Sequence, residues 1–476
     1  MLFSSMIFLW AFLPITLGLY YGVHILPISD TDLKMKIKNG ILLVASLFFY
    51  GFGSVKYLLL MIGAIVVDYV GGYFVAEEGG FLSHEGYNAK SNKTFRSLCL
   101  ILTLTINLSI LFIFKYLGMF ADVNIVLPIG ISFYTFQAIS YVADVYRGRV
   151  KVQKNPLTFA LYVSLFPQLI AGPIVQYKDV EEQMHGRIET EEGFVYGIKR
   201  FCYGLGKKVL LANTFAVVAD QIWDMNVAQL GAPLAWLGMI AYTLQIYYDF
   251  SGDSDMAIGL GHMFGFSFKE NFNYPYTATS IQDFWRRWHM SLSGFFRDYV
   301  YIPLGGSREG MARTYRNILI VFALTGIWHG ANYTFWLWGA IYGVLLVFER
   351  AFFGKTLQKN PVKILNWIYT IFIVMVEWVI FRSDSVGQAL TYIGQLFTPG
   401  KAYTILSCLN ARVWIALPIA ILCSGWLQKL FGKMYGEHKE NILIRIFDGA
   451  IQLTLLVLCI FSIAGGTYNP FIYFQF

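Results

Sequence analysis

Charge is scarce in this chain. Asp, Glu, Lys and Arg make up 14% of its 476 residues, where a soluble domain carries about 25%. With 57% hydrophobic residues and a mean hydropathy of +0.54, no ordinary water-facing surface can be built over the whole length. Lipid has to solvate much of it. Cysteine is also sparse. The five, Cys99, Cys202, Cys408, Cys423 and Cys459, are scattered through apolar stretches without a C-x-x-C pair, which excludes a zinc framework or disulfide scaffold. G-x-S-x-G, H-E-x-x-H, Walker A and G-x-G-x-x-G are all absent, which disfavours a serine-triad hydrolase, a zincin and a nucleotide-binding domain. The N-terminus, MLFSSMIFLWAFLPITLGLYYGVHIL, has no positive leading segment. Its apolar run is longer than the about 7–15 residues of a signal peptide, so it is expected to be a retained first span.

What is present is a series of long apolar runs. They cover 1–26, 39–53, 57–77, 97–119, 125–146, 198–218, 232–250, 314–331, 334–350, 364–381, 411–428 and 446–464. The expected fold is an all-α polytopic membrane protein of about 11–13 transmembrane helices, with re-entrant and interfacial helices besides. Segment 157–175 contains Pro167, Gly172 and Pro173 after Pro156 and reads as re-entrant. Charge sets the orientation. With the N-terminus outside and the spans alternating, 31 of the 36 basic residues fall on the inner side and four outside, as the positive-inside rule requires. Both termini are then outside. The net charge of +7 reports topology and anionic lipid, with no nucleic-acid partner expected.

Three clusters could carry chemistry. The first, QIYYDFSGDSD (245–255), places Asp249, Asp253 and Asp255 at the inner end of a span. Acids there need a partner or water. They could cap a bent helix end, form a D-x-D metal site through Asp253 and Asp255, or pair with Arg286 or Arg287. The metal motif is too short to carry a metal site, and none is expected.

The second cluster, Asn271–Arg308, gathers Arg286, Arg287, Arg297 and Arg308 with Trp285, Trp288 and His289. Arg and Trp anchor helices at lipid headgroups. The same set also suits an anionic, partly aromatic ligand such as coenzyme A, with guanidinium on phosphate and Trp285 or Trp288 on the purine.

The third cluster, LTGIWHGANYTFWLWG (324–339), holds His329 among Trp328, Trp336 and Trp338. An ionisable group inside the membrane is a functional hypothesis by default. Desolvation keeps an imidazole neutral and able to act as a base.

Five stretches carry a resemblance. FPQLIAGPIV (166–175), QIYYDFSGDSDMAIGLGHMFGF (245–266), NFNYPYTATSIQDFWRRWHMSLSGFFRDYVYIPLGG (271–306), GIWHGANYTFWLWG (326–339) and the tail PFIYFQF (470–476) resemble the membrane-bound O-acyltransferases, in their bacterial alginate O-acetyltransferase (AlgI-like) branch. Asp253, Phe295, Tyr333 and Tyr342 depart from that branch.

The resemblance implies one membrane-embedded domain over 1–476. N-terminal helices would occupy 1–126, the core with both histidines 127–350, and C-terminal helices with an extracytoplasmic tail 351–476. It implies that His329 is catalytic and that His289 is the second characteristic histidine. Acetyl-CoA would be the acyl donor, with no cofactor bound permanently. The implied location is a bacterial cytoplasmic membrane, and the implied partners are membrane lipid, an extracytoplasmic acetyltransferase and polysaccharide synthesis machinery.

In the expected mechanism His329 is the general base toward the acceptor hydroxyl. His289 donates to the thioester carbonyl or orients the donor, and Arg286, Arg287 and Arg297 hold the phosphates. Tyr473 either anchors the tail at the interface or relays the acyl group. The rival readings are D-alanyl transfer from a carrier-protein thioester and a non-enzymatic polytopic transporter.

Overall fold

The computed structural model describes residues 1–81, 92–121, 125–170, 172–399, 404–438 and 441–466. Among the described residues every regular element is a helix. Among these described residues seven helices are long and apolar enough to cross a membrane: Phe8–Ile25, Val55–Val75, Lys93–Phe120, Glu191–Trp223, Tyr333–Phe353, Lys363–Arg382 and Ile442–Gly465. The pair Ala411–Cys423 and Trp426–Gly432, bent by 53°, makes an eighth if it is one span.

The remaining expected spans fall in helices that do not meet that length and composition. Thr31–Gly51 carries Lys34, Lys36 and Lys38, and starts at Asp30, whose side chain accepts from the Asp32 and Leu33 amides. In Ile131–Tyr146 every residue from Ile131 to Val145 is buried. Gly231–Met263 carries the acidic cluster, and Met311–His329 opens on arginines. Hydropathy alone cannot tell the burial of Ile131–Tyr146 in protein from burial in lipid. Segment 157–175 forms two short, broken helices, Pro156–Ser164 and Phe166–Leu169.

The chain parses into two compact units. One is made of residues 1–201 and 254–269, the other of 202–253 and 270–476. In the first, a polar knot ties distant segments together. Tyr20 donates to Glu189 at 2.5 Å and Lys38 to the same carboxylate at 2.9 Å. Arg187 donates to the Tyr20 hydroxyl at 2.9 Å and to Asn39 at 2.7 Å. Burial pushes the Glu189 carboxyl up, but the Tyr20 and Lys38 donors outweigh it and hold the carboxyl below its ordinary value.

The second unit has a large aromatic core, with Trp338, Trp378, Tyr248, Tyr342 and Phe284 all fully buried. Within it the acidic cluster finds its cations. Lys208, 1% exposed, hydrogen-bonds Asp249 and lies 3.8 Å from Asp253. In the first unit Asp255 pairs with Arg200 at 2.6 Å. The pairing with Arg286 or Arg287 is therefore not the one formed. The D-x-D metal reading fails for a geometric reason: residues two apart on a helix diverge, and these two carboxylates turn to different cations.

Candidate active site

The two histidines are delivered by different local structures. His329 is the last residue of helix Met311–His329, after which Gly330 is extended. The following helix folds straight back, and the turn is held by Trp336 Nε1 donating to the Gly330 carbonyl at 3.0 Å. Small residues set how closely the two helices pack. A β-carbon on Gly326 would stand 2.5 Å from the Phe335 carbonyl oxygen. His329 is buried among rings, with Trp338 and Phe381 each presenting an edge at 5.1 Å between centroids.

His289 lies between two short helices, Ile281–Trp285 and Met290–Phe296. Its φ of 43° and ψ of 54° are left-handed, a conformation costly for a residue with a side chain. The residues around Asn271 hold it there. The Asn271 carbonyl accepts from the Met290 amide at 2.9 Å, and the Asn273 amide donates to the Arg287 carbonyl at 2.9 Å. Asn271 Oδ1 lies 3.1 Å from His289 Nδ1 and accepts from the Ser291 amide at 3.2 Å and its hydroxyl at 2.8 Å. His289 is 1% exposed, and burial pulls its imidazole down to about 3, so it is neutral at physiological pH. Its Nε2 meets no hydrogen-bond partner among the described residues.

Sequence places these histidines forty residues apart. The fold sets both against one indole, with Trp328 at 5.9 Å from the His289 ring and 4.9 Å from the His329 ring. The surroundings are aromatic and buried.

The basic surface divides. Arg286 and Arg297 are exposed. Arg297 reaches Asp298 at 2.9 Å, and Arg287 is half-buried against Asp283 at 2.8 Å. Arg308 is exposed as well. Trp285 and Trp288 do not belong to this surface. Trp285 packs on Phe322, Trp338 and Tyr342, and Trp288 on Phe284, Phe272 and Trp378. The expected purine platform is core instead, because Trp285 at the end of its helix and Trp288 in the turn that follows both face inward. Tyr473 and the tail from Pro470 lie outside the described residues.

Sequence reading passed over three polar groups here. Asn271 sits inside a stretch quoted only for its likeness. Glu349, 4% exposed, accepts from the Ile281 and Gln282 amides at 2.8 and 3.2 Å and so caps the helix that leads to His289. Glu377 is buried in the span Lys363–Arg382. For both acids the signal was an ionisable residue in or at the end of an apolar run.

Comparison with known proteins gives the family. Residues 150–383 match the membrane-bound O-acyltransferase family, a segment that includes both histidines. The chain is 40% identical to the probable alginate O-acetylase AlgI of Pseudomonas putida over the full length of both. It is 41% identical to that of Pseudomonas aeruginosa, covering 90% of this chain and 81% of the relative. It is also 37% identical to the peptidoglycan O-acetyltransferase of Helicobacter pylori, covering 82% and 78%. Identity at this level over whole chains places both the fold and the chemistry: the protein is a multi-pass membrane acyltransferase and belongs to the membrane-bound O-acyltransferase family.

Proposed function

We propose that this chain takes an acetyl group from cytosolic acetyl-CoA and passes it through the membrane for O-acetylation of an extracytoplasmic polysaccharide, with His329 as general base. The observation that supports it most is the pair of histidines on a single indole in an aromatic, buried setting. The relatives named for O-acetylation supply the class of acyl group and acceptor.

In this reading His329 removes the acceptor hydroxyl proton as the oxygen attacks the thioester carbon. The C–O bond forms, the C–S bond breaks, and the proton passes to the departing thiolate. Position helps, because the C-terminal end of helix Met311–His329 favours the positive charge that develops on the imidazole. Arg286 and Arg297, exposed and cationic, hold the phosphates of coenzyme A, and Arg287 contributes from its pair with Asp283. Counted with all twelve apolar runs as alternating spans, the basic residues split 31 to 4, and on that count the reading is a cytoplasmic membrane with both termini outside.

A partner acetyltransferase outside the membrane completes the transfer to the polymer. Tyr473 stands in this scheme as an acyl relay, and polymer acetylation unchanged by Tyr473→Phe removes it.

The direct test uses the purified full chain in lipid nanodiscs with acetyl-labelled acetyl-CoA and an oligosaccharide acceptor. Wild type transfers label, while His329→Ala keeps the same melting profile and transfers about 10²–10⁴-fold less. Transfer by His329→Ala near the wild-type rate refutes the assignment. Indifference to added free CoA points instead to a carrier-protein donor and the D-alanyl type of chemistry. A wild-type chain that moves substrate without forming ester would be the transporter.

A further inference from the structure

The contacts of Asn271 determine which nitrogen of His289 carries the proton. A side-chain amide can be turned either way, and an imidazole has two neutral tautomers. Here the backbone removes the ambiguity. The Ser291 amide is only a donor, and it points at Asn271 at 3.2 Å, so the atom it meets is the amide oxygen. The Ser291 hydroxyl meets the same oxygen at 2.8 Å. His289 Nδ1, 3.1 Å from that oxygen, faces an acceptor and must be the protonated nitrogen. In a neutral ring, Nε2 then carries the lone pair.

We infer that Asn271 is the positioning residue that locks His289 in its Nδ1–H tautomer, so that His289 meets its substrate through Nε2 as a hydrogen-bond acceptor and not as a donor. This reverses the expectation that His289 donates to the thioester carbonyl, which is itself only an acceptor. Nε2 is buried and meets no protein partner among the described residues. A buried acceptor left in that state is destabilising, and a substrate hydrogen relieves it. The chemistry that fits is an O–H or N–H close to the reacting carbon. Two sources offer one: the acceptor hydroxyl, and an amide N–H of the pantetheine arm of the donor.

The left-handed backbone of His289 serves the same end. Asn271 holds the following residues from both its carbonyl and its side chain, which fixes the ring's direction as well as its proton. The kinetic consequence rests on the acetyltransfer reading above. The tautomer itself does not.

The test is histidine ¹⁵N NMR on the full chain in detergent micelles, with the His289 signals assigned by difference against His289→Gln. The expected result at pH 7 is an unprotonated Nε2 and a protonated Nδ1. A protonated Nε2 overturns the inference whatever the enzyme turns over.

Kinetics supply the second measurement. Asn271→Asp keeps an acceptor for Nδ1–H and is expected to stay within about tenfold of wild type. Asn271→Leu, similar in size but without the oxygen, should lose the tautomer signature and drop kcat by roughly 10–100-fold. Equal rates in the two variants refute the role even if both fold. The accompanying KM identifies the source of the hydrogen: a rise confined to the oligosaccharide assigns it to the acceptor hydroxyl, and one confined to acetyl-CoA assigns it to the pantetheine amide. Absence of any wild-type transfer would refute the acetyltransfer reading while leaving the ¹⁵N result standing.

Discussion

Gly326 and Gly339, on consecutive helices, face each other so closely that a β-carbon on Gly339 would lie 2.9 Å from the Gly326 Cα and 2.5 Å from the Phe322 carbonyl oxygen. Backbone cannot yield as a flexible side chain can, so any side chain at Gly339 must push the helices apart. His329 follows Gly326 by three residues on the same helix face and moves with it. Gly339→Leu is expected to lower stability by about 3 kcal/mol or more, as overpacking does at a closed contact, and to abolish transfer. Gly394→Ala is the control, since nothing lies within 4 Å of a β-carbon there, and its melting temperature should hold or rise slightly. Thermal melting in detergent checks both. A Gly339→Leu protein that melts with wild type would show that the helices separate at little cost.

The buried ion pair of Lys208 and Asp249 invites a double-mutant cycle. Both side chains are almost fully enclosed, at 1% and 2% exposure. Removing only the cation strands the carboxylate, which costs about 3–5 kcal/mol. Lys208→Met should therefore melt well below wild type, and Lys208→Met with Asp249→Leu should recover much of the loss. A double variant no better than the single one would mean that Lys208 chiefly serves Asp253, its second neighbour at 3.8 Å.

These two sites mark what sequence can and cannot convey. Apolar runs located the helices, because hydropathy is local and additive. They could not tell what surrounds each helix, since Ile131–Tyr146 is wrapped by protein yet reads like a lipid-facing helix. His329 and His289 were legible as residues, through an ionisable group in lipid and through likeness in the W-H-G and W-R-R-W-H contexts. Their shared contact with Trp328 was not, because it depends on how segments forty residues apart pack. The partners of Asp249 and Asp255 were misjudged for the same reason: charge pairing follows distance in space, and Lys208 and Arg200 come from a helix that composition treats as one more span. Trp285 and Trp288 were read from composition as interface or ligand surface, although packing turned them inward.

Glu349 supports the site from a distance. Its two carboxylate oxygens accept from successive amides at the start of helix Ile281–Trp285, where the Ser280 hydroxyl accepts a third, from Asp283. Charge at a helix N-terminus adds to the hydrogen bonds. Glu349→Ala leaves two amide donors, that of Ile281 buried, without this acceptor and is expected to cost about 1–2 kcal/mol together with a clear fall in kcat, because His289 sits just beyond that helix. Glu349→Gln keeps one acceptor and should fall between. Melting and acetyltransfer rates on the three proteins decide it. An alanine variant with unchanged kcat would mean that the loop at His289 holds its shape without this cap.

His289 also sets a pH dependence whose sign can be worked out. Burial lowers its pKa to about 3 in the folded chain, against about 6.5 when unfolded. Between those values the unfolded chain binds a proton that the folded chain refuses, so stability falls as pH falls. The contribution is fully present above about pH 6.5 and drains away below it, by roughly 1.4 kcal/mol per pH unit. Going from pH 7.5 to 5, wild type should lose about 2 kcal/mol more than His289→Gln, whose side chain does not titrate. The same shift keeps His289 neutral from pH 5 upward, so an acid limb in the transfer rate near neutrality must come from another group, and Asn271→Asp should show that limb as well. Melting of wild type and His289→Gln at the two pH values is the measurement. Parallel losses in the two proteins would mean that the buried imidazole accepts a proton without unfolding, and with it a second N–H where the contacts with Asn271 leave a lone pair.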